Sequence, residues 1–169
     1  MTKKMHSALK SAKRYATKQD FPFFTKGKTI SGGAYFITLN PDTPALDYDA
    51  NERIYDESRI DGFIDSTNKR FYDYFNNINK TVPCDIQIDD LLTRYKNRSK
   101  TDFNRLELDG HYFSLDYVKR LFDIIGSNGK KDIMCNVVYD ERYGKYPLLF
   151  MHGKHGHAML CPVRIPNKK

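Results

Sequence analysis

The sequence predicts an α+β fold, and three observations carry that reading. An amphipathic stretch near the start, Lys3 to Thr17, places apolar residues at helical spacing. A run rich in β-formers follows, Ala34-Tyr35-Phe36-Ile37-Thr38-Leu39. The last third, Leu106 to Ile165, reads as strand, tight turn, helix and then three further strands.

In the first helix Met5, Leu9, Ala12 and Ala16 fall within a narrow arc at about 100° per residue. Lys3, Lys10, Arg14 and Lys18 lie on the far side. That basic face is either a solvated surface or one that meets phosphates. Lys28 to Ile30 reads as a strand, Ser31-Gly32-Gly33 as a turn, and Ala34 to Asn40 as a second strand broken by Asn40-Pro41-Asp42. A further strand is expected over Ala45 to Tyr48. Residues 47–61 form an acidic, polar insertion with weak structure signals, read as a surface excursion. Phe63-Ile64 begins a short strand after Gly62.

Phe71-Tyr72-Asp73-Tyr74-Phe75 has aromatic rings at every position but Asp73. It reads first as a loop or short helix pinned into the core, and second as a platform on which bases stack. Cys84, Ile86 and Ile88 alternate as a strand does. Asp89-Asp90 suits a helix N-terminus. The helix Asp90 to Arg98 should bury Leu91, Leu92 and Tyr95 and end on Lys96, Arg98 and Lys100.

Further on, Leu106-Glu107-Leu108 alternates, and Asp109-Gly110 is a hairpin signal. Ser114 is a good N-cap for a helix carrying Leu115, Val118, Leu121, Phe122 and Ile125, with Gly126 expected to close it in the left-handed region. Ile133 to Tyr139, Tyr146 to Met151 and Ala158 to Ile165 read as strands. The last is taken as an edge strand that either pairs across subunits or lies covered.

One domain over residues 1–169 is the default for this length. Lysine and arginine exceed aspartate and glutamate, 28 against 21, leaving a net charge of +7. Such a balance favours a polyanion as partner, and nucleic acid over membrane, since no run of about 18 apolar residues exists. The basic start, Met1 to Lys4, leads into no apolar signal core. Cys84, Cys135 and Cys161 are unclustered. These features together point to a reducing cytoplasm with buried thiols.

Chemistry-bearing motifs are sparse. His152, His155 and His157 cluster ahead of Cys161, and imidazoles at such spacing can hold a transition metal or zinc. Gly153 and Gly156 instead mark a turn between strands, and no CxxC or HxxxH element completes a tetrahedral set, so no metal is assigned. Cys161 beside His157 lies in a run that reads as buried strand, a poor setting for a nucleophile. No phosphate-binding GxxxxGK[ST] loop and no GxGxxG occurs. The reading is therefore non-enzymatic, with no cofactor.

The end of the chain, Pro147-Leu148-Leu149-Phe150 and His157-Ala158-Met159-Leu160-Cys161-Pro162-Val163-Arg164-Ile165, resembles the closing strands of the bacterial sliding clamp family, the beta subunit of DNA polymerase III. Asp109 to Leu121 is similar to the strand and helix leading into that ending. Ala8 to Ala16 looks like the first helix of a clamp domain, and Lys28 to Leu39 like the strand pair after it. Phe71-Tyr72-Asp73-Tyr74 looks like the linker that follows a clamp domain, without its proline.

The resemblance implies a sliding-clamp-like domain of two β-α-β-β-β halves, with antiparallel sheets and helices on one side. It implies a non-catalytic accessory in DNA replication or recombination that contacts duplex phosphates without reading sequence. Lys3, Lys10, Arg14 and Lys18 of the first helix would face DNA, joined by Lys119 and Arg120 of the later one. Asp116 and Asp123 lie beside Arg120, so that later face is mixed in charge. Met151, Met159 and Pro162 would border a groove for clamp-binding peptides or replication proteins. Clamps carry several domains per chain, so this chain would either form a ring as a homo-oligomer of about six copies or be a clamp-like domain that never closes. The short length and partial resemblance suggest a phage or mobile element. One alternative is a clamp-fold module that binds a replication protein or peptide rather than DNA. A second is a single-strand binder working through Phe71 to Phe75.

Overall fold

The computed structural model describes residues 3–19, 24–26, 28–32, 34–43, 62, 65–66, 69, 81–84, 88–98, 104–126, 133–139 and 147–163. They form helix α1 (Lys3–Gln19), strands β1 (Phe24–Lys26), β2 (Thr29–Ser31), β3 (Tyr35–Leu39) and β4 (Thr81–Cys84), and helix α2 (Ile88–Lys96). Strands β5 (Arg105–Leu108) and β6 (His111–Ser114), helix α3 (Leu115–Ile125), and strands β7 (Met134–Val138), β8 (Leu148–Gly153) and β9 (Gly156–Leu160) follow. The expected α+β class is the one observed.

Seven strands form one antiparallel sheet in the order β1-β2-β3-β9-β8-β7-β4, and β5-β6 is a separate hairpin. Helix α1 leads into the meander β1-β2-β3, and helix α3 leads into the meander β7-β8-β9. The two units meet where β3 and β9 pair, Tyr35 opposite Leu160 and Leu39 opposite Gly156. Strand β9 is thus hydrogen-bonded on both sides, to β3 and β8. This corrects the expectation of an edge strand over Ala158 to Ile165, because long-range pairing with β3 uses the backbone that an edge would leave open. Pro83 fits its place in β4, which pairs with β7 alone among the described residues, since proline cannot donate to a second neighbour.

Period-two alternation divides the sheet into two faces. Ile30, Ile37, Leu39, Val137, Leu149, Met151, Ala158 and Leu160 point to one side and are all but inaccessible. They join Met5, Leu9 and Ala12 of α1, Leu91 of α2, and Val118, Leu121, Ile124 and Ile125 of α3 in one core. The three helices therefore cover a single face. Each fully buried side chain of this size contributes about 1.5–3 kcal/mol. The other face carries a smaller cluster, Phe150 and Met159 against Val138 and Leu148.

Contacts fix the helix directions. Lys4, near the start of α1, pairs with Asp123 near the end of α3 at 2.9 Å. Tyr15, near the end of α1, meets Tyr117 near the start of α3 edge-on at 6.1 Å. The two helices are antiparallel. On the other flank of α3, the α2 end is tied by Arg98 to Asp116 at 3.2 Å.

Local signals explain the joints. Asp109 and Gly110 both have positive φ, 49° and 74°, the two-residue turn that matches strand twist. The Ser114 hydroxyl accepts from the Tyr117 N–H at 3.4 Å and starts α3. Gly126 differs from expectation: its φ is −83° and ψ 158°, extended rather than left-handed. Glycine is required there by crowding, since a Cβ would lie 2.7 Å from both the Phe122 carbonyl and Ile133 Cδ1. The alternation of Cys84, Ile86 and Ile88 does not continue as one strand, because α2 begins at Ile88. That helix was expected from Asp90, and β1 had no counterpart among the expected elements. The strands at Ala45 to Tyr48 and Phe63-Ile64, the insertion over 47–61 and the aromatic run Phe71 to Phe75 lie outside the described residues, apart from Gly62, Asp65, Ser66 and Lys69 nearby. No helix among the described residues is long and apolar enough to cross a membrane.

Candidate nucleic-acid interface

Helix α1 reads KKMHSALKSAKRYATKQ, with lysine or arginine at Lys3, Lys4, Lys10, Lys13, Arg14 and Lys18 and no acidic residue. Its apolar positions Met5, Ala8, Leu9 and Ala12 are buried, so the opposite face is held outward. Lys3, Lys10, Arg14 and Lys18 are all exposed. At about 100° per residue they span an arc of about 80°, and at about 1.5 Å rise the row is about 22 Å long. None of the four has an ion-pair partner among the described residues. Lys4 is the α1 cation that α3 neutralises, through Asp123.

The later helix is placed differently. Lys119 bonds Asp123 one turn on, and the same carboxylate takes Lys4. Lys119 Nζ also lies 5.5 Å from the Tyr95 ring of α2. Arg120 turns towards α1, its guanidinium 5.0 Å from the Tyr15 ring and 5.7 Å from that of Tyr117. Its Nη1 is buried with no hydrogen-bond partner among the described residues. Both cations are half-buried. The geometry joins α1 and α3 through Arg120, with the exposed charge on α1. Burial raises the pKa values of the Tyr35 and Tyr117 hydroxyls, opposed by the nearby Arg120 charge, so this tyrosine cluster is uncharged. Gly32 admits the Tyr35 ring, which would otherwise meet a Cβ.

The residues expected to border a peptide groove do not share one. Met151 faces the helices and is fully buried. Met159 faces the opposite side of the sheet, where it packs with Phe150. Neighbours of different parity on a pleat cannot line one cleft. Pro162 follows β9 and is partly exposed.

The histidines give a geometry that the spacing rule alone did not anticipate. Lys154-His155 forms the turn between β8 and β9, so His152 and His157 stand opposite each other. Their Nδ1 atoms are 2.6 Å apart and their rings 4.4 Å. His157 also stacks on Phe150 at 5.9 Å. Desolvation, helped by the neighbouring His152, lowers the His157 pKa to about 4. His155 lies at the turn, where its N–H donates to the Ile125 carbonyl at 2.8 Å. The signal was present in the sequence as two histidines placed symmetrically about a two-residue turn. Among the described residues, no group of three or more His, Cys, Asp or Glu comes together.

No protein-family model, no curated protein and no solved structure matches this chain.

Proposed function

We propose that this chain is a non-catalytic, DNA-associated module of sliding-clamp-like architecture that rests α1 on duplex phosphates without reading sequence. The observation that carries the reading is the exposed row Lys3, Lys10, Arg14 and Lys18 on a helix with no acidic residue. A solvated helix face ordinarily mixes charges, because like charges at i,i+4 such as Lys10 and Arg14 cost a few tenths of a kcal/mol. A phosphate surface offsets that repulsion and releases counterions.

The topology supports the same reading. In chain order β6, α3 and β7-β8-β9 run β-α-β-β-β, with β6 paired to β5 outside the seven-stranded sheet, and α1-β1-β2-β3 follows the same order without a first strand. The two helices lie antiparallel over one face of the sheet. In this arrangement α1 is the phosphate-bearing element, while Arg120 and Lys119 hold the helical layer together. Fluorescence anisotropy with labelled duplexes of unrelated sequence tests the proposal. Equal affinities at low salt, falling steeply as salt rises, are expected. Absence of duplex binding at low salt would sink the DNA role, and binding to a replication protein would then be the reading to pursue.

A further inference from the structure

The side of the sheet opposite the helices carries a second cluster, unrelated to the cationic row. Met134, His152 and His157 are consecutive cross-strand partners on β7, β8 and β9: Met134 opposite His152, and His152 opposite His157. Partners of this kind have Cβ atoms about 4.5–5.5 Å apart and share a face. Met134 is 63 % exposed, against 4 % for Met159 on the same face. An exposed thioether beside a histidine pair gains nothing from burial there.

We propose that His152, His157 and Met134 form a binding site for one Cu(I) ion. The two Nδ1 atoms already converge, at 2.6 Å. At that distance one ring donates a proton and the other accepts it. Moving the donor's proton to its own Nε2 turns both Nδ1 lone pairs towards the same point, with no net proton release and no change of oxidation state. An ion at about 2.0 Å from each nitrogen needs them slightly further apart, which small rotations of both rings supply. The thioether makes the third ligand, and soft sulfur with imidazole selects Cu(I) over hard cations. No described residue in this row, which continues through Thr38 beyond His157, is a carboxylate. Thr38 Oγ1 is buried there with no hydrogen-bond partner among the described residues.

The scaffold holds the pair in place. The Asn40 side chain donates to the Lys154 carbonyl at 2.8 Å, and the His155 carbonyl accepts from the Asn40 N–H at 2.9 Å. The His155 N–H in turn reaches Ile125 at the end of α3. The hairpin turn is therefore bonded to β3's end and to α3, and little ordering remains to be done on binding.

The test is anaerobic titration of the full chain with Cu(I) against a chromophoric Cu(I) competitor, with X-ray absorption on the loaded protein. One equivalent should bind with nitrogen and sulfur neighbours. Met134→Leu, at an exposed position that tolerates it, should weaken Cu(I) binding by about tenfold or more while leaving the circular dichroism spectrum unchanged. His157→Gln should remove the site. Cys161→Ser should leave it intact. The proposal is overturned if Met134→Leu binds as the parent does, if Cys161→Ser abolishes binding, or if no stoichiometric Cu(I) is taken up.

Discussion

Reversing two charges on α1, Lys10→Glu together with Arg14→Glu, distinguishes a helix that meets phosphates from one that merely faces water. Both side chains are exposed, and neither has an ion-pair partner among the described residues, so the fold should lose no more than about 0.5 kcal/mol. Four cations make up the row, and each phosphate contact contributes about 0.9 to the slope of log affinity against log salt. The parent protein should therefore show a slope of about −3.6, which is about a 150-fold loss of affinity between 50 and 200 mM salt. The double variant keeps two contacts, so its slope should flatten to about −1.8 and its loss over the same range to about 12-fold. Anisotropy titrations at three or more salt concentrations give both slopes, and scrambled duplexes should give the same values because phosphates carry no sequence. An unchanged slope in the double variant would refute the assignment of α1 as the working surface.

Three further outcomes follow from the packing. The folded state resists protonating His157, whose pKa is near 4 against an ordinary value near 6.5, so its stabilising effect is complete above pH 6.5 and is lost as pH falls towards 4. Solvent screening at this half-exposed ring limits the loss to about 1 kcal/mol, which His157→Gln should abolish in urea melts run between pH 7 and pH 4. Gly153→Ala would put a Cβ 2.5 Å from the Ile125 carbonyl oxygen, so the denaturation midpoint should fall by the equivalent of about 1–3 kcal/mol; an unchanged midpoint would mean the hairpin does not press on α3. Leu121→Ala, in the middle of the helical core, should cost about 2–5 kcal/mol in the same assay without altering the salt slope of any duplex binding that survives.

Much of the second half of the fold was legible because its signals are local. Asp109-Gly110 demands positive φ at both positions, Ser114 caps its own helix, and Leu115 to Ile125 repeats at one period. The cationic row was equally legible, since Lys3, Lys10, Arg14 and Lys18 need only helical geometry to align. What was missed depends on distant chain. Nothing within Ala158 to Leu160 says that Tyr35 to Leu39 lies alongside, so a central strand reads the same as an outer one. Lys119 and Arg120 stand beside Asp116 and Asp123 already in the sequence, but only the fold reveals that Tyr15 and Tyr117 engage Arg120. Met151 and Met159 were grouped by the family resemblance, whereas their parity sends them to opposite sides. The His152 and His157 encounter needed the turn to be located to the residue.

The pairing of β3 with β9 has a consequence for the nascent chain. Leu39 and Gly156 are 117 positions apart (156 − 39), so at about 5–20 residues per second the partner of β3 emerges roughly 6–23 s later. Throughout that delay the first meander presents bare amides and carbonyls along Tyr35 to Leu39, together with the apolar side of Ile37. Such a ledge can template pairing with a neighbouring molecule. Aggregation during expression should therefore track translation speed across the middle of the gene more closely than it tracks the equilibrium stability of the finished protein.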